Sequence, residues 1–298
     1  MNIEQEILDL FYSAFQSTLS QGNELDKQIQ QVKASLYDRD YEAAFGDVKS
    51  LRAYVVRWSP SRALGYSDLF RSLEPIRTNL QNPRNGKSCR VLSIGGGAGA
   101  ELVAMASIAL LGAAVPIQVV AVDLADWKPI IDQIVERVAE TWYFKHYFKS
   151  LEEALKDMSL DNGRMSTFSV KFINHDILTL PQQQMELENV QLITSMFTTN
   201  ELFAESRVET VKFLQSLSIC LPGTLFLIVE SAGSYSEITV GSKVFPVQFL
   251  IHHSLTSGGE WKLIDSDDSR WYRVDPDLRY SLKLENMRFF FRLYERVG

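Results

Sequence analysis

The run Val91-Leu-Ser-Ile-Gly95-Gly-Gly97-Ala-Gly99-Ala-Glu101 constrains this chain more than any other segment. A short apolar stretch, 89–94, meets four glycines in five positions, and a helix-forming stretch follows from about Ala100 to Leu111. Such a run turns a buried strand sharply into a helix. It lets the backbone approach a ligand closely and leaves the helix's first N–H groups free. A tight turn with no ligand would use the same residues.

Downstream, short apolar runs alternate with helical periodicity. Strands are expected at Cys89–Ile94, Ile117–Val122, Phe168–Ile173, Val190–Met196 and Thr224–Glu230. A helix is expected to begin near Pro129, and another to run from about Phe203 to Leu217. The rhythm predicts a mostly parallel sheet with helices on both faces. Trp261–Ile264 and Met287–Arg296 are expected to close the sheet, joined by an acidic loop that contains Arg270-Trp-Tyr-Arg273. Residues 1–88 are helical in texture. One helix is expected to end at Ser59-Pro60, with a second carrying Leu64, Leu69 and Phe70. Asn79–Lys87 is the expected linker, which divides a helical module (1–88) from an α/β domain (89–298).

Two further strand ends carry acids. Val119-Val-Ala-Val-Asp123 places a carboxylate where ribose hydroxyls can be bound, and Phe172-Ile-Asn-His-Asp176-Ile177 places one where an adenine amino group can be met. Asp176 could equally cap a helix. A dinucleotide fits Gly95, Gly97 and Ala100, but Asp123 lies 28 residues past Gly95, beyond the usual spacing of about 20. S-adenosylmethionine (SAM), which has no pyrophosphate, fits the glycine loop followed by two acids better.

VLSIGGGAGAE, VVAVDLADW, NHDIL and LITSMFTTNELF together resemble a class I SAM-dependent methyltransferase. YDRDYEAAF, YVVRWSPSRALGY and RWYRVD resemble, more narrowly, the fungal 25S rRNA uridine-N3 methyltransferases, over roughly Tyr37 to the end. The resemblance implies a Rossmann-like α/β fold: a mostly parallel seven-stranded sheet with an antiparallel terminal strand, beside the N-terminal helical module. It implies that Gly95, Gly97, Gly99 and Glu101 line the methionine end of SAM. Asp123 would bind the ribose, Asp176 and Ile177 the adenine, and Met196 and Phe197 would border the transferring methyl. Glu201 is the candidate base or orienter and Asn200 the candidate holder of a uracil edge; Glu201 could instead cap the helix after it. His252-His253 competes for the base role. One of the pair is expected to be buried or capping, and the pair has too few neighbouring ligands for a metal. Cys89 and Cys220 read as structural, which disfavours a covalent C5 mechanism.

The 298 residues carry 30 Lys and Arg against 37 Asp and Glu, a net charge of −7. No global basic field attracts nucleic acid. Lys49–Arg90 nevertheless holds nine basic residues against two acids, which reads as a solvated helix surface or as a polyanion-binding face. Within it Arg57, Trp58, Arg62 and Tyr66 are candidate RNA contacts, with Arg273 approaching from the late loop. Most of the aromatics there are expected to be core, as is Trp142-Tyr-Phe with Tyr147 and Phe148 in a long helix. The expected partner is rRNA or a pre-ribosomal particle, acted on by a monomer without metal or membrane, in the nucleolus, nucleus or cytoplasm. The N-terminal MNIEQEILDL has no signal-peptide pattern. Other readings of the same residues are a methyltransferase acting on a small molecule or protein, a dinucleotide oxidoreductase, and a SAM-binding assembly factor without chemistry.

Overall fold

The computed structural model describes residues 2–81, 88–111, 116–143, 168–232, 237–240 and 243–298. Seven strands form one sheet in the order β3-β2-β1-β4-β5-β9-β8. Its parallel strands are β1 (Cys89–Ile94), β2 (Ile117–Asp123), β3 (Phe168–Asn174), β4 (Leu192–Met196) and β5 (Leu225–Ser231). The C-terminal strand β9 (Met287–Arg296) runs antiparallel beside β5, and β8 (Trp261–Tyr272) pairs antiparallel with β9 at the edge. A separate hairpin, β6 (Glu237–Val240) and β7 (Lys243–Pro246), precedes a helix at Val247–Thr256; neither has a distinct sequence signal. Strand order reverses between β1 and β4, so a crevice opens at their C-terminal ends.

Two apolar layers sandwich the sheet, as parallel strands require. One holds Val91, Val119, Leu192 and Leu227 against the N-terminal helices α1 (Ile3–Ala14), α2 (Asn23–Tyr37) and α3 (Val48–Ser72) and against α4 (Ala100–Leu111). The other holds Leu92, Ile193, Phe226 and Ile228 against Phe213, Leu214 and Ile251. The core is therefore continuous from the N-terminal helices into the sheet.

Four expectations need correction. First, Ser59-Pro60 does not end a helix: α3 runs unbroken through Pro60. Proline cannot donate to the carbonyl four residues back, which strands the Val56 oxygen. The Tyr280 hydroxyl donates to it at 3.1 Å and removes the penalty. Second, the helix expected over Phe203–Leu217 is two helices, Thr199–Glu205 and Arg207–Ser216. Ser206 is extended (φ −151°) and its hydroxyl accepts the Glu209 N–H at 3.3 Å, one half of a capping box. Third, β8 is twelve residues long, so Arg270, Trp271 and Tyr272 belong to a strand rather than to a loop, with Arg273 just beyond. Asp265, Ser266 and Asp267 stay paired with β9 between two register irregularities, the second of which leaves Asp268 and Ser269 unpaired, and an edge strand tolerates such polarity. Fourth, Asn79–Gln81 finish the helix Glu74–Gln81 instead of starting a linker; the rest of that linker, 82–87, lies outside the described residues. So do Phe144, Tyr147 and Phe148, whereas the buried Trp142 sits in a π-helical turn, Val138–Tyr143, that extends the helix Lys128–Arg137.

Candidate active site

A cleft of about 730 Å³ opens at the C-terminal ends of β1, β2 and β4, walled on the far side by the N-terminal helices. Gly95, Asp123, Met196, Phe197, Glu201 and Arg62 all line it. The sheet explains the convergence. The Gly95 N–H donates to Val122 O at 2.8 Å and the Phe197 N–H to Val229 O at 2.7 Å, which fixes both loops to strand ends.

The glycines are needed for different reasons. Gly95 has φ +71°, and a Cβ on it would sit 2.2 Å from Thr198 Oγ1. On Gly97 a Cβ would enter the Trp127 ring, 2.0 Å from Cδ1. The Gly97 N–H donates to Asp123 Oδ2 and the Ala125 N–H to Oδ1, each at 3.1 Å. Burial pushes Asp123 up to about 6, against those backbone donors and the nearby Trp127 indole. The helix Val48–Ser72 reaches the glycine loop directly: the buried Ser59 hydroxyl donates to Ala98 O at 2.7 Å.

Glu101 is buried under the loop, where it accepts from Ser93 Oγ at 3.2 Å. Burial pushes it up to about 7, opposed by the hydroxyls of Thr194 and Ser93 beside it and reinforced by the charge of Asp123. Its second oxygen, Oε1, is buried and lacks a hydrogen bond of ordinary geometry, as does the Thr194 hydroxyl beside it. Orphaned buried acceptors are rare and costly. A cationic amine bound at the loop would satisfy this one and hold Glu101 ionised.

Phe197 adopts φ +61°, an uncommon conformation for a bulky side chain and one that collects at functional sites. Its ring lies 6.3 Å from Tyr66, and the Arg62 guanidinium stands 5.4 Å from it. Arg62 also donates to the Tyr54 hydroxyl. Tyr54 belongs to an aromatic wall, 5.2 Å from Phe45 and 5.7 Å from Trp127.

Glu201 accepts from the Tyr41 hydroxyl at 2.5 Å, a contact across 160 residues of chain. Burial and that carboxylate push Tyr41 up to about 12, so it stays protonated as the donor. Asn200 donates to Glu230 through its backbone N–H (3.0 Å) and its side-chain amide (2.9 Å). Glu230 is buried at the end of β5; burial pushes it up to about 7, opposed by Asn200 and reinforced by Glu201. Tyr41 and Glu230 were not among the expected residues. Tyr41 falls in the quoted YDRDYEAAF segment, and Glu230 is a third strand-end acid that follows the same rule as Asp123 and Asp176.

Gly97, Glu101, Tyr66 and Asn200 lie behind the residues that line the cleft, and the remaining expected residues also lie off its wall. Gly99 (φ +78°) supports the turn beneath Ile134. Asp176 Oδ1 accepts the Leu178 N–H at 2.8 Å, and Ile177 is buried in the apolar layer with Leu92 and Val122. Arg57 pairs with Glu285 and donates to Lys283 O at 3.2 Å, while Trp58 packs on Tyr54 at 5.0 Å. Arg273 is exposed beside Trp271. The basic run is not one face, because Arg90 pairs with Glu186 at the opposite end of the sheet. His252 and His253 are both exposed, not buried, on the helix Val247–Thr256. Their exposure follows from the apolar face of that helix being supplied by Val247, Ile251 and Leu255.

Residues 11–295 match the family model described as "Putative SAM-dependent methyltransferase". The chain is 40% identical over 325 aligned residues to the 25S rRNA (uridine(2843)-N(3))-methyltransferase of Saccharomyces cerevisiae, covering 97% of this chain and 85% of that protein. Among solved structures, it is 14% identical to an S-adenosylmethionine-dependent methyltransferase from Clostridium acetobutylicum, covering 78% of this chain and 91% of that one with a TM-score of 0.39. It is 14% identical to the citrinin polyketide synthase CMeT domain, covering 90% and 64% with a TM-score of 0.44. Matched by the family model over residues 11–295 and by the yeast relative over 97% of its length, the chain belongs to this family of SAM-dependent methyltransferases.

Proposed function

We propose that this methyltransferase modifies N3 of a uridine in large-subunit rRNA. The observation that carries the reading is the 40% identity to a 25S rRNA uridine-N3 methyltransferase over 97% of the chain. The cleft supports it, because the strained Phe197, the cation of Arg62 and the Tyr41–Glu201 pair all meet at the end of β4. A planar base and a carboxylate can be brought together there.

SAM bound at the loop supplies an electrophilic methyl group. The chain would hold it through the glycine loop, with Glu101 Oε1 free to accept from an ammonium and Asp123 placed for the ribose. N3 of uridine is protonated at neutral pH, so transfer requires loss of that proton. Glu201 is the group to receive it, kept in place by Tyr41. Asn200, held from behind by Glu230, orients the base edge. Phe197 and Tyr66 form the platform below, and Arg62 keeps the site attractive to an RNA strand. Arg57 and Trp58 support that wall. Asp176 and Ile177 remain the proposed adenine contacts, with residues 1–88 serving as the lid. On this reading the protein meets its rRNA in the nucleolus or the cytoplasm, alone or on pre-ribosomal particles. Among the described residues no helix is long and apolar enough to cross a membrane.

The test uses labelled SAM and large-subunit rRNA from cells lacking the gene. Wild-type protein transfers label. Asp123→Asn raises the KM for SAM, and Glu201→Gln lowers kcat at saturating SAM by roughly 10²–10⁴-fold, the usual contribution of a general base. Undiminished kcat in Glu201→Gln contradicts the base assignment. No transfer to any RNA by wild-type protein contradicts the function.

A further inference from the structure

Of the five tryptophans, all described, Trp271 alone is exposed, at 48%. Its indole lies 4.8 Å from the Arg273 guanidinium and 5.7 Å from that of Arg288. Neighbouring arginines on the same two strands are neutralised: Arg270 pairs with Asp68 at 2.8 Å, and Arg292 pairs with Asp268. Arg273 and Arg288 pair with no described carboxylate. Arg288 donates through Nε only to the Ser269 hydroxyl, at 2.9 Å. The outer strand therefore offers an exposed indole between two cations that retain their charge.

Register places this group at the cleft end of the sheet, on the face opposite Tyr272 and Met287, which pack on Gly65 of the helix Val48–Ser72. Trp271 pairs with Arg288, the next residue Phe289 pairs with Ser231, and Ser231 follows the Glu230 that holds Asn200. Along this end of the sheet β5, β9 and β8 follow β4 in order. Three inter-strand steps of about 4.8 Å put Trp271 roughly 14 Å from the β4 end where Phe197 sits. A few unstacked nucleotides span that gap.

We propose that Trp271, Arg273 and Arg288 form a second RNA subsite, which takes the single-stranded nucleotides flanking the one in the cleft. The indole stacks on a base, and the two guanidiniums meet phosphates or stack in turn. The inference rests on the rRNA reading above. A protein surface would need buried apolar area around the tryptophan, whereas the preceding residues of its own strand, Ser266, Asp267, Asp268 and Ser269, are all exposed.

The test measures KM for rRNA and the affinity for rRNA and for SAM, in full-length protein. Trp271→Ala weakens rRNA binding about 5- to 100-fold and raises KM in parallel, the scale of one lost base stack. Its SAM affinity is unchanged, which also shows that the variant is folded. Trp271→Phe keeps most of the affinity, since a planar ring remains. Arg273→Ala and Arg288→Ala each reduce the slope of log affinity against log salt by about 1. Unchanged rRNA affinity in Trp271→Ala, while wild type methylates rRNA, overturns this inference alone. A defect seen only on pre-ribosomal particles, with naked-rRNA affinity intact, overturns it in favour of a protein contact. Wild-type protein that neither binds nor methylates rRNA overturns the function, and the subsite with it.

Discussion

Gly97→Ala separates two reasons for which a loop glycine can be required. Gly97 does not have a positive φ, unlike Gly95 and Gly99, so alanine can adopt its backbone. The obstacle is the Trp127 indole. A Cβ would stand 2.0 Å from Cδ1, 2.4 Å from Cγ and 2.7 Å from Nε1. Carbon atoms make contact at about 3.5 Å, so the ring must retreat by roughly 1.5 Å. It has little room, because Trp127 is buried with Phe45 centred 5.2 Å away and Tyr54 at 5.7 Å. Overpacking of this kind costs about 1–3 kcal/mol. The same displacement disturbs the floor of the cleft and the donors around Asp123, so SAM affinity falls with stability. The assay is a double-mutant cycle by chemical denaturation, with SAM affinity measured calorimetrically on each variant. In a Trp127→Leu background the obstruction is gone, and Gly97→Ala is neutral or stabilising by about 0.4–1 kcal/mol through the less flexible unfolded chain. Equal costs in both backgrounds, with coupling below about 0.5 kcal/mol, refute the steric explanation.

Tyr280→Phe removes the donor that satisfies the Val56 carbonyl; it costs about 1–3 kcal/mol in the wild-type chain and under about 0.5 kcal/mol in a Pro60→Ala background, where the new N–H takes over. Urea denaturation of the four proteins checks the difference. Glu101 and Glu230 rise from 4.5 to about 7 and Asp123 from 3.8 to about 6, so between about pH 4 and 7 the folded protein binds more protons than the unfolded chain. Their stabilising contribution is full below the unfolded values and is lost as pH rises through 7; apo-protein denaturation from pH 5 to 8 should show that component falling. SAM, a net cation, favours the ionised carboxylates, so its affinity rises over the same range and binding near pH 6.5 releases protons, which calorimetry in buffers of different ionisation enthalpy detects. Tyr41→Phe leaves Glu201 without its donor; rRNA methylation at saturating SAM drops roughly 5- to 10-fold for the loss of about 1 kcal/mol, with the melting temperature unchanged because Tyr41 is 40% exposed.

What the sequence shows well is local. Cys89–Ile94, the glycines and the helix after them are contiguous, and each reports its own burial and backbone needs. Strand ends bearing Asp123 and Met196 follow from the alternation of apolar runs, and the parallel sheet follows from the connections being long enough for helices. What it conceals depends on distant partners. The continuous helix through Pro60 needs Tyr280, 224 residues from the Val56 carbonyl it satisfies. The Tyr41–Glu201 and Asn200–Glu230 pairs join segments that only the fold brings together. Arg57 has the composition of an RNA contact, but Glu285 occupies it. The length of β8 is hidden because Asp265–Ser269 is exposed on both faces, so the middle of the strand shows no alternation. Trp271 was visible as part of a charged aromatic motif, yet its place beside the cleft depends on register.

The most direct measurement is the identity of the methylated nucleoside. Purified protein, labelled SAM and large-subunit rRNA from cells lacking the gene are incubated, and the RNA is digested to nucleosides and separated. The account predicts label in 3-methyluridine, lost in Glu201→Gln and restored in none of the other nucleosides. Label in any other nucleoside, or none in RNA that wild-type protein binds together with SAM, contradicts it.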